Sequence, residues 1–148
     1  MSVIRITKEF RFEAAHALKG YDGPCRNIHG HSYKLSVTIT GEPIEAGDSP
    51  KKGMVMDFSD LKKIIKQRII DPFDHALILG FDFRDIDFKG SGDAFSNVVF
   101  VNYQPTSENM LIDFADRIRN LLPPKTSLHS LRLRETATSF AEWFAEDN

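Results

Sequence analysis

Residues 29–40 read His-Gly-His-Ser-Tyr-Lys-Leu-Ser-Val-Thr-Ile-Thr. The odd positions are His29, His31, Tyr33, Leu35, Val37 and Ile39, and the even positions are small or polar. Strict alternation of this kind places one face on a core and the other in water, which is the signature of a half-buried strand. The stretch from Val3 to His16 carries the same pattern. Ile4, Ile6, Phe10, Phe12, Ala14 and His16 fall on one side, and Arg5, Glu9, Arg11 and Glu13 on the other. A loop rich in Gly, Pro, Asp and Asn, residues 17–28, joins the two. A long antiparallel pair is therefore predicted, and it sets the fold class.

Two helices follow. Asp57 is placed to cap the first, and Phe58, Leu61, Ile64, Ile65 and Ile69 recur at helical spacing until Pro72. Lys62, Lys63 and Lys66 form its solvated side. Thr106 caps the second, whose stripe is Leu111, Phe114, Ala115, Ile118, Leu121 and Leu122, and Pro123-Pro124 ends it. Val98–Tyr103, residues 127–136 and Phe140–Phe144 read as further short strands. Phe81–Asn97 is an acidic, aromatic excursion. Two strands, then helices, then two strands predict an α+β fold, an antiparallel sheet with helices packed on one face.

Composition agrees. The chain has 148 residues, the size of a single domain spanning 1–148, and 41% of it is hydrophobic. Nineteen basic against 21 acidic residues give a net charge of −2, which excludes a polybasic nucleic-acid arm as the main function. No apolar run approaches the length of a membrane span, so no membrane partner is expected. One cysteine, Cys25, excludes an internal disulfide. With no signal-peptide core over residues 1–5, a reducing, cytoplasmic setting is expected.

The chemistry concentrates at one corner. If the first two strands pair through the 17–28 loop, the end of one lies beside the start of the other. His16, His29 and His31 then point to one side. Three neutral imidazoles leave a fourth tetrahedral position open, as in a catalytic zinc site. Zinc (Zn2+) is the expected ion, although Fe, Co or Ni accept the same donors. Cys25 lies four residues before His29, in the loop over this corner. A thiol near a cation and Arg26 is suited to act as nucleophile, base or ligand, whereas a buried thiol would be inert. Asp74-His75 can form an acid/base pair only if the backbone turns both toward a common site. Glu135 shares the face of Leu131 and Leu133, so it needs either a ligand bearing two N–H groups or an internal ion pair. Thr106-Ser107-Glu108-Asn109 is first of all a helix start.

Six segments together carry a family resemblance: Phe12-Glu13-Ala14-Ala15-His16, Cys25-x3-His29-Gly30-His31, Met56-Asp57-Phe58 with Leu61-Lys62, Phe73-Asp74-His75, Pro105–Asn109, and Arg134-Glu135-Thr136. In this order, across nearly the whole chain, they resemble the 6-pyruvoyl-tetrahydropterin synthase and 6-carboxytetrahydropterin synthase family. The resemblance implies the tunnelling fold, with trimeric barrels stacked into a homohexamer. It implies zinc on His16, His29 and His31, and Cys25 as general base assisted by Asp74 and His75 from a neighbouring subunit. Glu135 would anchor the amino-pyrimidine edge of a pterin and is sometimes counted in the proton relay. Thr106 and Glu108 match positions near the pterin pocket. The implied substrate is dihydroneopterin triphosphate, and the implied reaction is a lyase step that expels triphosphate. The three-residue gap between Cys25 and His29 is like the enzymes of queuosine biosynthesis, which make 6-carboxytetrahydropterin. A 6-pyruvoyl product is the alternative, and a non-catalytic pterin-binding zinc module the second. Phe81, Phe83, Phe88 and Phe95 of the excursion are expected to pack on a subunit edge rather than to cover the pocket.

Overall fold

The computed structural model describes residues 2–148, and Met1 lies outside them. Strand β1 runs over Ile4–His16 and β2 over His29–Gly41, paired antiparallel along their full length from Ile4 opposite Gly41 to His16 opposite His29. Strand β5, Thr126–Arg134, joins β2 antiparallel with a register shift at Thr38/Ile39, and β6, Phe140–Phe144, joins β5. These four strands are the antiparallel sheet that the alternation predicts.

The sheet continues beyond it. Strand β3, Ala76–Gly80, pairs parallel with the end of β1, and β4, Val98–Val101, pairs parallel with β3. The six-stranded sheet has the order β4-β3-β1-β2-β5-β6 and is mixed. Nothing in the sequence announced β3. Its Ala-Leu-Ile-Leu-Gly run is too short and too uniformly apolar to show a period. It also explains the 81–97 excursion. Parallel neighbours need a crossover of about a dozen residues or more, and here that crossover consists of three short 3-10 turns instead of a helix. Phe88 packs on Phe95 and Phe100 along the β4 edge, with ring centroids 5.7 and 6.2 Å apart.

Helix α1, Phe58–Ile65, begins at Asp57, whose carboxylate accepts from the Ser59 N–H at 2.7 Å. It does not stop before Pro72. A π-type stretch, Lys66–Ile70, carries the chain into a last turn, α2, Asp71–Phe73. Pro72 sits in the first turn of α2, directly after the π-type stretch. Helix α3, Ser107–Ile118, is capped by Thr106, which accepts from the Asn109 N–H at 3.2 Å. Leu61, Ile65, Ile69 and Phe73 from the first helical run, and Met110, Phe114 and Ile118 from α3, are buried on one face of the sheet. They meet Phe12, Tyr33, Leu35, Val37, Leu131 and Leu133 there. Phe12 stacks on Tyr33 at 4.9 Å and meets Phe114 edge-on at 6.2 Å. The other face is polar across β1, β2 and β5, and apolar at the β3–β4 end, where Leu79 is buried and Phe88 packs on Phe100. Among the described residues, no helix is long and apolar enough to cross a membrane.

Candidate metal centre

The apolar stripe of β1 and β2 ends in histidines. His16 pairs with His29 in register, and His31 pairs with Ala14, so all three side chains leave the same face at one corner. One nitrogen from each lies within 4.8 Å of the others. His16 is 1% exposed.

Hydrogen bonding fixes two of the tautomers. His16 Nδ1 lies 2.6 Å from the Pro105 carbonyl, and His29 Nδ1 lies 2.7 Å from the Asn27 carbonyl. A carbonyl only accepts, so each Nδ1 must donate, and each neutral ring keeps its lone pair on Nε2. Those two Nε2 atoms face each other at 3.0 Å. Two lone pairs at that separation repel unless a cation lies between them. A proton is disfavoured, because burial lowers the pKa of His16 and of His31, more than Glu135 raises either. A metal ion meets the requirement, and nitrogens on one tetrahedral zinc sit about 3.3 Å apart. The residues present therefore fit the zinc that the resemblance implies.

Glu135 follows β5 and reaches the same corner. Its Oε1 is 3.1 Å from His31 Nε2 and 3.5 Å from His16 Nε2. The approach to His31 lacks hydrogen-bond geometry, so His31 Nε2 remains buried with no hydrogen-bond partner. Tyr33 Oη and Ser107 Oγ are in the same condition. Tyr33 borders His31 at 5.4 Å between centroids, and Ser107 stands two residues beyond the Pro105 carbonyl that holds His16. Buried polar atoms are nearly always paired, so the unpaired His31 Nε2, with the Tyr33 ring beside it, marks a place built for a ligand. Sequence reasoning passed over Tyr33 and Ser107. Tyr33 read as core, and Ser107 stood beside the two residues singled out. Of those two, Thr106 has its hydroxyl engaged in the helix cap, and Glu108 is exposed in the first turn of α3.

Cys25 lies in the 3-10 turn Pro24–Arg26 of the loop between β1 and β2, half-buried, with its carbonyl accepting from the Leu18 N–H at 3.1 Å. It is not among the side chains that converge on the histidine cluster.

Asp74 and His75 come together, but elsewhere. His75 has a positive φ of 58°, so the backbone turns sharply, and Asp74 Oδ1 lies 3.0 Å from His75 Nδ1. Asp74 Oδ1 also accepts from the Glu13 N–H at 2.9 Å, and this bond is the main reason its pKa lies below the ordinary carboxylate value. Asn97 holds both carbonyls of the pair. His75 is 79% exposed. It borders a groove of about 450 Å3 lined by Glu13, Ala15, Ser32, Leu77 and Asn97, and also by Ala14 and His31. Glu13, Ala15 and Ser32 alternate with Ala14, His16 and His31, so the pair opens onto the polar face. Within one chain, Asp74 and His75 are not among the side chains that converge with His16, His29 and His31.

The sequence matches the family described as 6-pyruvoyl tetrahydropterin synthase over residues 5–146. It is 41% identical to a 6-carboxy-5,6,7,8-tetrahydropterin synthase of Haemophilus influenzae over 143 residues, covering 95% of this chain and 99% of that protein. It is 32% identical to the Rickettsia typhi protein of the same name, with 95% and 99% covered. The fold is similar to a 6-pyruvoyl tetrahydropterin synthase structure of Caenorhabditis elegans, with a TM-score of 0.68 and 26% identity over 98% of this chain and 97% of that one. It is also similar to an uncharacterised protein of Wolinella succinogenes, with a TM-score of 0.76 and 23% identity over 98% and 99%. The chain belongs to the 6-pyruvoyl tetrahydropterin synthase family and has its tunnelling fold.

Proposed function

From that membership we propose that this chain is a zinc-dependent lyase. It would convert dihydroneopterin triphosphate and water to 6-carboxytetrahydropterin, releasing triphosphate and the two outer side-chain carbons as a two-carbon aldehyde, a step of queuosine biosynthesis in a reducing, cytoplasmic setting. The observation that carries the reading is the pair of facing Nε2 lone pairs on His16 and His29, with His31 and Glu135 beside them.

His16, His29 and His31 would hold Zn2+, which supplies Lewis acidity toward the side-chain oxygens of a pterin. Pro105 and Asn27 keep two of the rings in the ligating tautomer. Cys25, in the loop joining the two histidine strands, would take a proton as thiolate. Glu135 would give up its contact with His31 to accept the paired N–H groups of the amino-pyrimidine edge. The Thr106 hydroxyl is engaged in the helix cap, whereas the neighbouring Ser107 Oγ is buried without a partner and would be free to bond a ligand that reaches it. Asp74 would orient the His75 ring through Nδ1, leaving Nε2 to move protons. Because this pair opens on the opposite face, we assign it to the site of a neighbouring subunit. The two sheet edges, β4 and β6, offer strand pairing for such an assembly, a trimer stacked into a hexamer.

The names of the curated relatives and the Cys25-x3-His29 spacing support the 6-carboxy product, and the Caenorhabditis elegans structure keeps the 6-pyruvoyl product as the second reading. Mass spectrometry of the products from reduced, zinc-loaded protein and dihydroneopterin triphosphate tests both. A 6-carboxy product is expected. A 6-pyruvoyl product would overturn the assignment of product, and bound pterin without turnover would reduce the protein to a binder.

A further inference from the structure

The polar face of the sheet holds a feature that the reaction above does not use. Two adjacent rows cross it, each one residue deep on neighbouring strands. The first is Glu9 of β1, Ser36 of β2, Arg132 of β5 and Glu142 of β6, all in register. It sets no like charges side by side, and Arg132 pairs with Glu142 at 3.1 Å. The second is Arg11, Lys34, Arg134 and Phe140, also in register. It sets three cations side by side. Side chains directly opposite on paired strands stand about 5 Å apart at Cβ, and like charges there are destabilising. The chain relieves this only in part. Lys34 meets Glu9 diagonally at 3.0 Å. Arg134 donates to the Ala137 carbonyl at 3.1 Å and lies 4.7 Å above the Phe140 ring. Among the described residues, neither Arg11 nor Arg134 has an acidic partner.

We propose that Arg11, Lys34 and Arg134 form a binding row for a short phosphate chain, with inorganic triphosphate as its ligand. Three adjacent strands span about 10 Å, which suits a chain of a few phosphates and exceeds what one orthophosphate can bridge. Guanidinium forks recognise phosphate oxygens through paired N–H donors, and two of the three members are arginines. Phe140 holds Arg134, and Arg132 beside it, against free rotation, at 4.7 and 4.5 Å. The row is continuous with the Asp74–His75 groove, since Arg11 lies two residues before Glu13, whose N–H holds Asp74. The identity of the ligand rests on the proposed reaction, which releases triphosphate. The row itself rests only on register and charge.

The test is calorimetric titration of the zinc-loaded full chain with inorganic triphosphate at about 0.05 M salt, where exposed charges are weakly screened. One saturable site per chain is expected. Arg11→Gln and Arg134→Gln should each weaken binding about tenfold or more, while Arg11→Lys keeps most of it. Arg5→Gln, on the same face but outside the row, should stay within about twofold. Circular dichroism on each variant separates lost binding from lost fold. Unchanged binding in both arginine variants would place triphosphate elsewhere, the metal included, and overturn the proposal. Equal loss in Arg5→Gln would reduce the row to diffuse charge and overturn it. Orthophosphate or ATP binding more tightly than triphosphate would overturn the ligand assignment. The titration needs no turnover. A chain that binds triphosphate through Arg11 yet makes no pterin product keeps the row and loses the lyase, and the reverse result does the opposite.

Discussion

The two faces of this sheet solve different problems with the same two strands. On the inner face, β1 and β2 run an apolar stripe that ends in His16, His29 and His31 at a closed corner. Core packing positions these rings, and Pro105 and Asn27 fix the tautomers of two of them. On the outer face, one residue out of phase, Glu13 holds Asp74, and His75 stands in solvent. The first region is rigid because it is buried. The second is held at the surface by hydrogen bonds: the Glu13 N–H to the Asp74 carboxylate, the His75 N–H to the Glu13 carbonyl, and the Asn97 amide to both carbonyls of the pair. Buried imidazoles can be preorganised for a metal, whereas an exposed dyad acquires its environment from whatever covers it.

The largest expected effect breaks the inner face alone. His31→Ala removes a converging nitrogen and leaves two lone pairs with nothing to complete the set. Zinc affinity should fall by more than about 100-fold, beyond the range for an outer-shell partner. Turnover should vanish with it, while Asp74 and His75 keep their geometry. Metal analysis after dialysis decides this, and a variant that retains one zinc per chain would break the three-histidine assignment.

The next effect sets the faces against each other. Cys25→Ala and His75→Ala should each lower turnover by about 10²–10⁴-fold with zinc retained, the usual loss for a proton-transfer group. If the dyad of one subunit serves the corner of another, refolding the two variants together should restore activity that neither shows alone. Absence of recovery, with mixed oligomers confirmed by native mass spectrometry, would place all three groups in one chain's site.

The inner face was readable from residues because its logic is local. Alternation in β1 and β2, a hairpin of nearly full register and two histidines two residues apart suffice to bring three rings together. Glu135 was readable as a carboxylate needing a partner. That its partners are His31 and His16 was not, because the Thr38/Ile39 register shift decides where the end of β5 arrives. The outer face was opaque for a stronger reason. Asp74-His75 is aimed by β3, a five-residue parallel strand with no period, and by a left-handed turn at His75, a conformation that is uncommon at any residue but glycine. The residues alone offered the pair as an acid/base candidate if the backbone turned both to one site, and the resemblance gave it a role. The resemblance likewise pointed to Thr106, whose hydroxyl the structure assigns to the helix cap.

Stability sharpens the comparison. Phe12→Ala empties a site on the inner face between Tyr33 and Phe114, and should cost about 3–5 kcal/mol in urea unfolding. Thr7→Ala, on the outer face of the same strand, loses only the 2.7 Å hydroxyl contact with Thr38 and should cost about 1 kcal/mol or less. Similar losses for the two would mean that the outer face is buried in the assembled protein.

The smallest effect is a pH dependence confined to the outer face. Asp74 has a pKa below the ordinary 3.8, first because the Glu13 N–H donates to its carboxylate and further because His75 lies beside it. A carboxyl with a depressed folded pKa stabilises the fold above its unfolded pKa, and that contribution is lost as pH falls through the folded value. Asp74→Asn should therefore be less stable than the parent at pH 6, by a margin kept small because Asp74 is 38% exposed. The difference should close below about pH 4. The same titration probes the junction between β1 and the turn into β3, because the Glu13 N–H is the bond being lost. A margin that stays constant from pH 6 to pH 3 would mean the Asn amide fails to accept from Glu13 at any pH, and that backbone strain at His75, not charge, ties the dyad to the sheet.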